Sequence, residues 1–236
     1  MYSLKKLRIM FLDELINYFH GSIFRYEKAI NYLKSRKIFE DDIKLYKLGY
    51  NKIIAVPQED SPDRTRFLQE SFKGRVYENR LIFPIMDASG RAIGITGRTI
   101  DKKGFKNFVL DEAKFTGYFF GLDLALPYIY SENKVYVVEG YTDVIAMRKV
   151  FPNTVATITS GISETQYNYL RLYCDNIITM FDYDKAGFHG TDKAEKMFPN
   201  IKRASLGNYE DPAKCYEHLS LKDFKTFVSS KVLTLG

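Results

Sequence analysis

Two apolar runs in this chain end in acid: Val135–Asp143 (Val-Tyr-Val-Val-Glu-Gly-Tyr-Thr-Asp) and Ile177–Asp184 (Ile-Ile-Thr-Met-Phe-Asp-Tyr-Asp). Short, continuous, β-branched runs of this kind belong to parallel strands buried on both faces, and ligands collect outside the carboxyl ends of such strands. Between them lie a helical stretch (143–150), a third apolar run (154–158) and another helical stretch (163–173). Strand, helix, strand, helix, strand with right-handed crossovers is a doubly wound unit, and it brings both acidic ends to one rim. Glu139, Asp182 and Asp184 are thus expected to converge. Crowded carboxylates repel unless a cation sits among them, and hard oxygen ligands suit Mg²⁺ or Mn²⁺. An isolated Asp-x-Asp is a weak motif; two acid-tipped strands in one unit point to a divalent-metal site for phosphate chemistry.

The remaining composition narrows the class. With 236 residues, 45% hydrophobic and 15% aromatic, the chain has material for one or two packed domains. No apolar run approaches the roughly 18–20 residues that span a bilayer, and Asp13 and Glu14 fall where a signal peptide would be apolar. A cytoplasmic protein without a membrane partner is expected. Cys174 and Cys215 have no paired spacing, so this chain builds neither a disulfide framework nor a zinc ribbon. The net charge of +6 is a weak pointer to a polyanion by itself. Its distribution is more telling, because Arg64, Arg66, Lys73, Arg75, Arg80, Arg91, Arg98, Lys102, Lys103, Lys106 and Lys114 all precede the acidic rim. A basic segment for phosphates followed by acids for a metal is the arrangement a polynucleotide enzyme needs.

In chain order, apolar residues at helical spacing predict a helix over 3–19 stopped by His20-Gly21, a second over 24–34, and a short third over 40–46 closed by Gly49. Residues 53–66, around Pro57 and Pro62, read as a loop. Strands are expected at 80–86 and 92–98, either side of a tight Asp87–Gly90 turn, with Gly94 and Gly97 permitting close approach of another backbone or a substrate. Arg80 and Arg98 would stand at the ends of this hairpin. They are either plain surface cations or guanidinium forks for phosphate.

The stretches Arg-Leu-Ile-Phe-Pro-Ile-Met-Asp-Ala-Ser-Gly-Arg-Ala-Ile-Gly-Ile-Thr-Gly-Arg (80–98), Val-Val-Glu-Gly-Tyr-Thr-Asp-Val (137–144) and Phe-Asp-Tyr-Asp-Lys-Ala-Gly (181–187) resemble successive motifs of the bacterial DnaG-type DNA primases. Ala29–Tyr50 resembles the helical entry to that family's catalytic core, and the likeness runs over about residues 1–215. The Glu-Gly and Asp-x-Asp pieces alone indicate only a TOPRIM domain, which topoisomerases and some nucleases share; the Arg-x-x-Phe-Pro-Ile hairpin points to primase. The resemblance implies an α/β protein: a basic α+β amino-terminal subdomain (1–126) facing a TOPRIM subdomain with a doubly wound, mostly parallel sheet (127–215), then a short carboxy-terminal helix in 216–236, the remnant of a helical subdomain.

It also implies the synthesis of RNA primers on a single-stranded DNA template from ribonucleoside triphosphates. By resemblance Glu139 is the acid–base or metal-organising carboxylate, and Asp182 and Asp184 are metal ligands. Asp143 and Asp211 complete the metal-binding set, while Arg80, Arg98 and Lys106 hold phosphates. The expected partners are a replicative helicase or a zinc-ribbon module supplied in trans, and the chain reads as a phage or mobile-element version or as a fragment. It departs from the family pattern at Thr159-Ser160, where Gly-Thr is usual, at Asn107-Phe108-Val109 in place of Tyr-Leu-Asn, and at Asp211-Pro212-Ala213 in place of Asp-Pro-Asp. A TOPRIM-type nuclease and a non-catalytic DNA- or partner-binding module are the alternatives.

Overall fold

The computed structural model describes residues 4–52, 62, 78–100, 105–109, 117–159, 161–182, 185–198, 201–207 and 209–233. The expected 53–66 loop lies, apart from Pro62, outside them. The chain divides into two compact units. One holds Met1–Lys34, Phe39–Ile85 and Arg91–Glu112; the other holds Ser35–Ile38, Met86–Gly90 and Ala113–Gly236.

The first unit sets helices α1 (Leu4–Ile23), α2 (Glu27–Ser35) and α3 (Glu40–Leu45) with a four-stranded sheet of β1 (Gly49–Asn51), β2 (Arg80–Met86), β3 (Ala92–Thr99) and β4 (Phe105–Val109), in the order β1-β2-β3-β4. Helix α1 outruns the expected stop at His20-Gly21, because tertiary bonds hold its last turn. His20 Nδ1 bonds Leu48 O at 2.8 Å, Ser22 Oγ donates to Tyr50 O, and Ile23 is fully buried. The same contact explains the Leu48-Gly49-Tyr50 motif, since a Cβ on Gly49 would lie 2.6 Å from Phe19 Cβ and 2.8 Å from Phe19 C. Proline is unusual inside a sheet, yet β2 carries Pro84. Strand β1 pairs only with Arg80, Leu81 and Ile82, so at Pro84 that side of β2 has no β1 ladder to break. Strands β1 and β4 escaped the sequence reading, as both are short and defined by their pairing partners rather than by a hydrophobic period.

The second unit is the expected doubly wound sheet. Strands β5 (Lys134–Val138), β6 (Thr154–Ala156), β7 (Asn176–Thr179) and β8 (Ile201–Arg203) are parallel and ordered β6-β5-β7-β8. Around them run α4 (Leu122–Glu132), α5 (Tyr141–Arg148), α6 (Glu164–Leu170), α7 (Lys185–Met197), α8 (Pro212–His218) and α9 (Leu221–Leu233). Val135, Val137 and Val138 of the central β5 are fully buried, as are Val155, Leu170 and Ile177 around them. The outer edge of β6 is covered by Phe120, which exchanges both backbone hydrogen bonds with Ala156 and so blunts an otherwise exposed edge. Two helices, α8 and α9, stand where one was expected, and β8 was not foreseen.

Gly49→Ala is expected to destabilise the protein by about 1–3 kcal/mol, the usual cost of overpacking, through the Phe19 backbone rather than through conformational strain. Urea unfolding with an unchanged m-value checks it; wild-type stability in the variant would refute the close helix–strand contact.

Candidate active site

In an open parallel sheet the ligand crevice lies where the strand order reverses. Here that point falls between β5, whose chain continues to β6 on one side, and β7, whose chain continues to β8 on the other. Glu139 directly follows β5, and Asp182 comes three residues after the end of β7. The ladder continues past β7 through Met180 N donating to Val137 O at 2.8 Å. Asp182 N then donates to Glu139 Oε1 at 3.3 Å, while Asp182 Oδ1 is buried. The structure therefore brings Glu139 and Asp182 together, both half-buried. Asp184 lies outside the described residues.

Asp143 sits in the first turn of α5, because that helix begins at Tyr141 and not at the expected 143. It is only 4% exposed. Both carboxylate oxygens are held by main chain: Oδ2 accepts from Gly140 N at 3.1 Å and Oδ1 from Ala213 N at 2.9 Å. Burial pushes its carboxyl well above the ordinary value, the charges of Asp211 and Asp182 push it further, and the Ala213 N–H partly offsets them. Asp211 caps α8, with Oδ1 accepting from Lys214 N at 2.6 Å and Pro212 following in the first turn.

Close approach at this rim requires glycine twice. A Cβ on Gly140 would strike Asp143 Oδ2, and one on Gly187 would strike the carbonyl oxygen of Asp182. Ala213 stands where the resemblance leads to a further acid; its side chain is buried and its backbone N–H serves Asp143 instead. Among the described residues no three His, Cys, Asp or Glu side chains form a ready-made metal cage. The chemistry of the donors nevertheless fits a hard divalent cation: all are carboxylates, Asp143 feels both Asp182 and Asp211, and positive charge relieves their mutual repulsion.

The expected phosphate-binding cations belong to the other unit. Arg80 donates from Nη1 to Gly97 O at 2.9 Å, so part of its fork braces the hairpin. The Arg98 guanidinium lies 5.7 Å from the centroid of the Tyr32 ring, a cation–π distance. Lys106 is on β4, in register with Gly97. The sequence reading quoted Gly140 and Gly187 within its motifs without giving them a role, and it passed over Gln166. Gln166 carried a signal of its own, the Ser163-x-x-Gln166 pattern of a capping box, which forms reciprocally at 3.1 and 3.0 Å.

Folding raises the Asp143 pKa, so its stabilising contribution is fullest below the ordinary value of 3.8 and is lost as pH rises through the raised one. Asn caps a helix as well as Asp does. Asp211→Asn is therefore expected to raise the melting temperature of the metal-free protein at pH 8 by roughly 2–4 °C, about 1 kcal/mol, and by less at pH 4. Thermal melts in a chelator across that range check it; no gain at pH 8 would remove Asp211 from the repulsive cluster.

Comparison with known proteins agrees with this geometry. Residues 136–215 match a Toprim-like family model, and residues 18–112 match the model of the DNA primase catalytic core, N-terminal domain. The DNA primase of Helicobacter pylori strain J99 is 25% identical over 240 residues, covering 94% of this chain and 43% of the relative. That of Borreliella burgdorferi is 32% identical over 201 residues, covering 77% and 38%. The chain thus spans less than half the length of these curated relatives. Among solved structures, the Aquifex aeolicus primase (zinc-binding and RNA polymerase domains) aligns with a TM-score of 0.82 at 22% identity, covering 97% of this chain and 62% of that one. A DnaG primase catalytic domain bound to single-stranded DNA aligns with a TM-score of 0.80 at 22% identity, covering 96% and 82%. With the amino-terminal domain of a primase catalytic core and a Toprim-like domain matched in succession, and a primase relative 32% identical over 77% of the chain, the chain belongs to the family of DnaG-type DNA primase catalytic cores.

Proposed function

We propose that this chain is a primase catalytic core that joins ribonucleoside triphosphates into short RNA primers on a single-stranded DNA template. The observation that carries the reading is the Glu139–Asp182 pair at the switch point of a parallel sheet, backed by the buried Asp143. Glu139, Asp182 and, from its place in the motif, Asp184 would hold Mg²⁺ or Mn²⁺, with Asp143 and Asp211 supporting them. When bound, the cation supplies charge neutralisation for phosphate oxygens, the main requirement of phosphoryl transfer.

The chain's own residues do the positioning. Asp143, gripped by two backbone N–H groups, ties the first turn of α5 to α8 behind the rim. Gly140 and Gly187 let the loops carrying Glu139 and Asp182 close. Glu139 fixes the loop of Asp182 by accepting its N–H and is the carboxylate available for proton transfer from an attacking hydroxyl. Arg80, Arg98 and Lys106 would hold template or nucleotide phosphates.

As partners we propose a replicative helicase and a zinc-ribbon module in trans. Cys174 and Cys215 are both buried and free, and the Aquifex relative is described as having a zinc-binding domain alongside its polymerase domain. Among the described residues no helix is long and apolar enough to cross a membrane, which is compatible with work at cytoplasmic DNA.

Labelled ribonucleotide incorporation on varied single-stranded templates, with Mg²⁺ or Mn²⁺, tests the reading. Glu139→Gln and Asp182→Asn are each expected to cut synthesis by about a hundredfold or more while leaving the melting temperature at or above that of wild type. Near-normal synthesis in either variant would overturn the assignment, and Mg²⁺-dependent strand cleavage without nucleotides would replace polymerase with nuclease.

Single-stranded DNA binding is expected to weaken with salt, and Arg98→Ala should flatten the slope of log K against log salt by about one phosphate contact. An unchanged slope in a salt titration would leave Arg98 a packing residue on Tyr32.

A further inference from the structure

Gln166 is fully buried, yet its side chain is occupied with main chain well beyond its own helix end. Its Oε1 accepts from Ser163 N at 3.0 Å, and Ser163 Oγ accepts from Gln166 N at 3.1 Å, which completes the capping box. The two protons of Nε2 are then spent elsewhere, on Tyr118 O at 2.8 Å and Thr157 O at 3.0 Å. Tyr118 leads into the segment that covers the outer edge of β6 through Phe120, and Thr157 is the first residue beyond β6.

Those two anchors frame a turn on the reaction rim. Thr157 N donates to Val138 O at 3.0 Å, so Thr157 lies one strand over from Glu139. Because β6 and β7 flank β5 on opposite sides, the turn bounds Glu139 on the side away from Asp182. Its next residue, Ile158, has φ 66°, a left-handed conformation in which a β-branched side chain is a genuine outlier. Such strain persists only where surrounding contacts over-determine it, and it clusters at functional sites. Thr157 Oγ1 adds to the lock by donating to Thr159 O at 2.6 Å.

We propose that Gln166 is a positioning residue for the nucleotide-joining reaction: by gripping Tyr118 O and Thr157 O it holds the strained Thr157-Ile158-Thr159 turn as the wall of the crevice beside Glu139, and that wall seats the incoming ribonucleoside triphosphate. A helix cap alone needs neither Nε2 bond, and a turn needed only for connection does not require a β-branched residue in the left-handed region. The inference rests on the carboxyl rim being the nucleotide-joining site.

Two variants separate positioning from mere stability in steady-state extension of a primed template. Gln166→Leu keeps the volume and removes the grip. Ile158→Gly keeps Gln166 but frees the turn, and folds without strain because glycine adopts this φ readily. In both, KM for the ribonucleotide is expected to rise on the order of tenfold while kcat stays within about twofold, and Ile158→Gly should melt close to wild type. A merely structural Gln166 would lower melting temperature and kcat, through a smaller active fraction, and leave KM alone. Should Gln166→Leu fail to fold, Ile158→Gly decides. Unchanged KM in the folded variants of an active wild type overturns this proposal only, whereas a wild type that incorporates nothing overturns the proposed function on which it rests.

Discussion

Negative charge forced together at the carboxyl rim of the parallel sheet is the constraint around which the second unit is built. Asp143 is buried beside Asp211 and Asp182, and both neighbours oppose its ionisation. Desolvation and like charge act in the same direction here, so the rim carries a cost in the cation-free protein. Sites that hold such strain are found where a ligand relieves it. Backbone dipoles help the surrounding fold tolerate the arrangement: the N–H groups of Gly140 and Ala213 each meet one Asp143 oxygen, and the N–H of Asp182 meets Glu139.

That reliance on backbone donors explains the side chains that are missing. Gly140 and Gly187 have no Cβ because the carboxylate of Asp143 and the carbonyl of Asp182 occupy the space. Ala213 removes one acid from the family's pattern, yet its position is still used, because the start of α8 offers an unpaired N–H to a neighbouring carboxylate. Losing a carboxylate at this point lowers the negative charge that a cation must balance. The donor that orients Asp143 is unaffected by it.

In the basic hairpin two arginines are held by local contacts. Arg80 donates to the carbonyl of Gly97 and so braces β2 against β3, while Arg98 lies against the face of Tyr32. Both cations are pre-ordered by these contacts. An ordered guanidinium loses less conformational freedom when it meets a phosphate than one on a free stem.

The doubly wound sheet was legible in the sequence because fully buried parallel strands must be continuously apolar, and Val135–Val138 and Ile177–Ile178 are. Their acid tips were legible for the same reason, since a charge directly after such a run can only stand at a strand end. Strands β1, β4 and β8 were not legible, because three to five residues carry too little period and their partners are distant in the chain. The run of α1 past His20-Gly21 was decided by Leu48 and Tyr50, 28 residues away. At the site, the sequence by itself determined which carboxylates are present and that Glu139 and Asp182 share an edge. Only the tertiary structure decided that Asp143 is buried between two backbone donors, that one of them is the N–H of Ala213, and that Gln166 reaches past its own cap to the exit of β6. Each of those depends on a contact between segments separated in sequence, and hydrophobic periodicity carries no record of where a hydrogen bond will end.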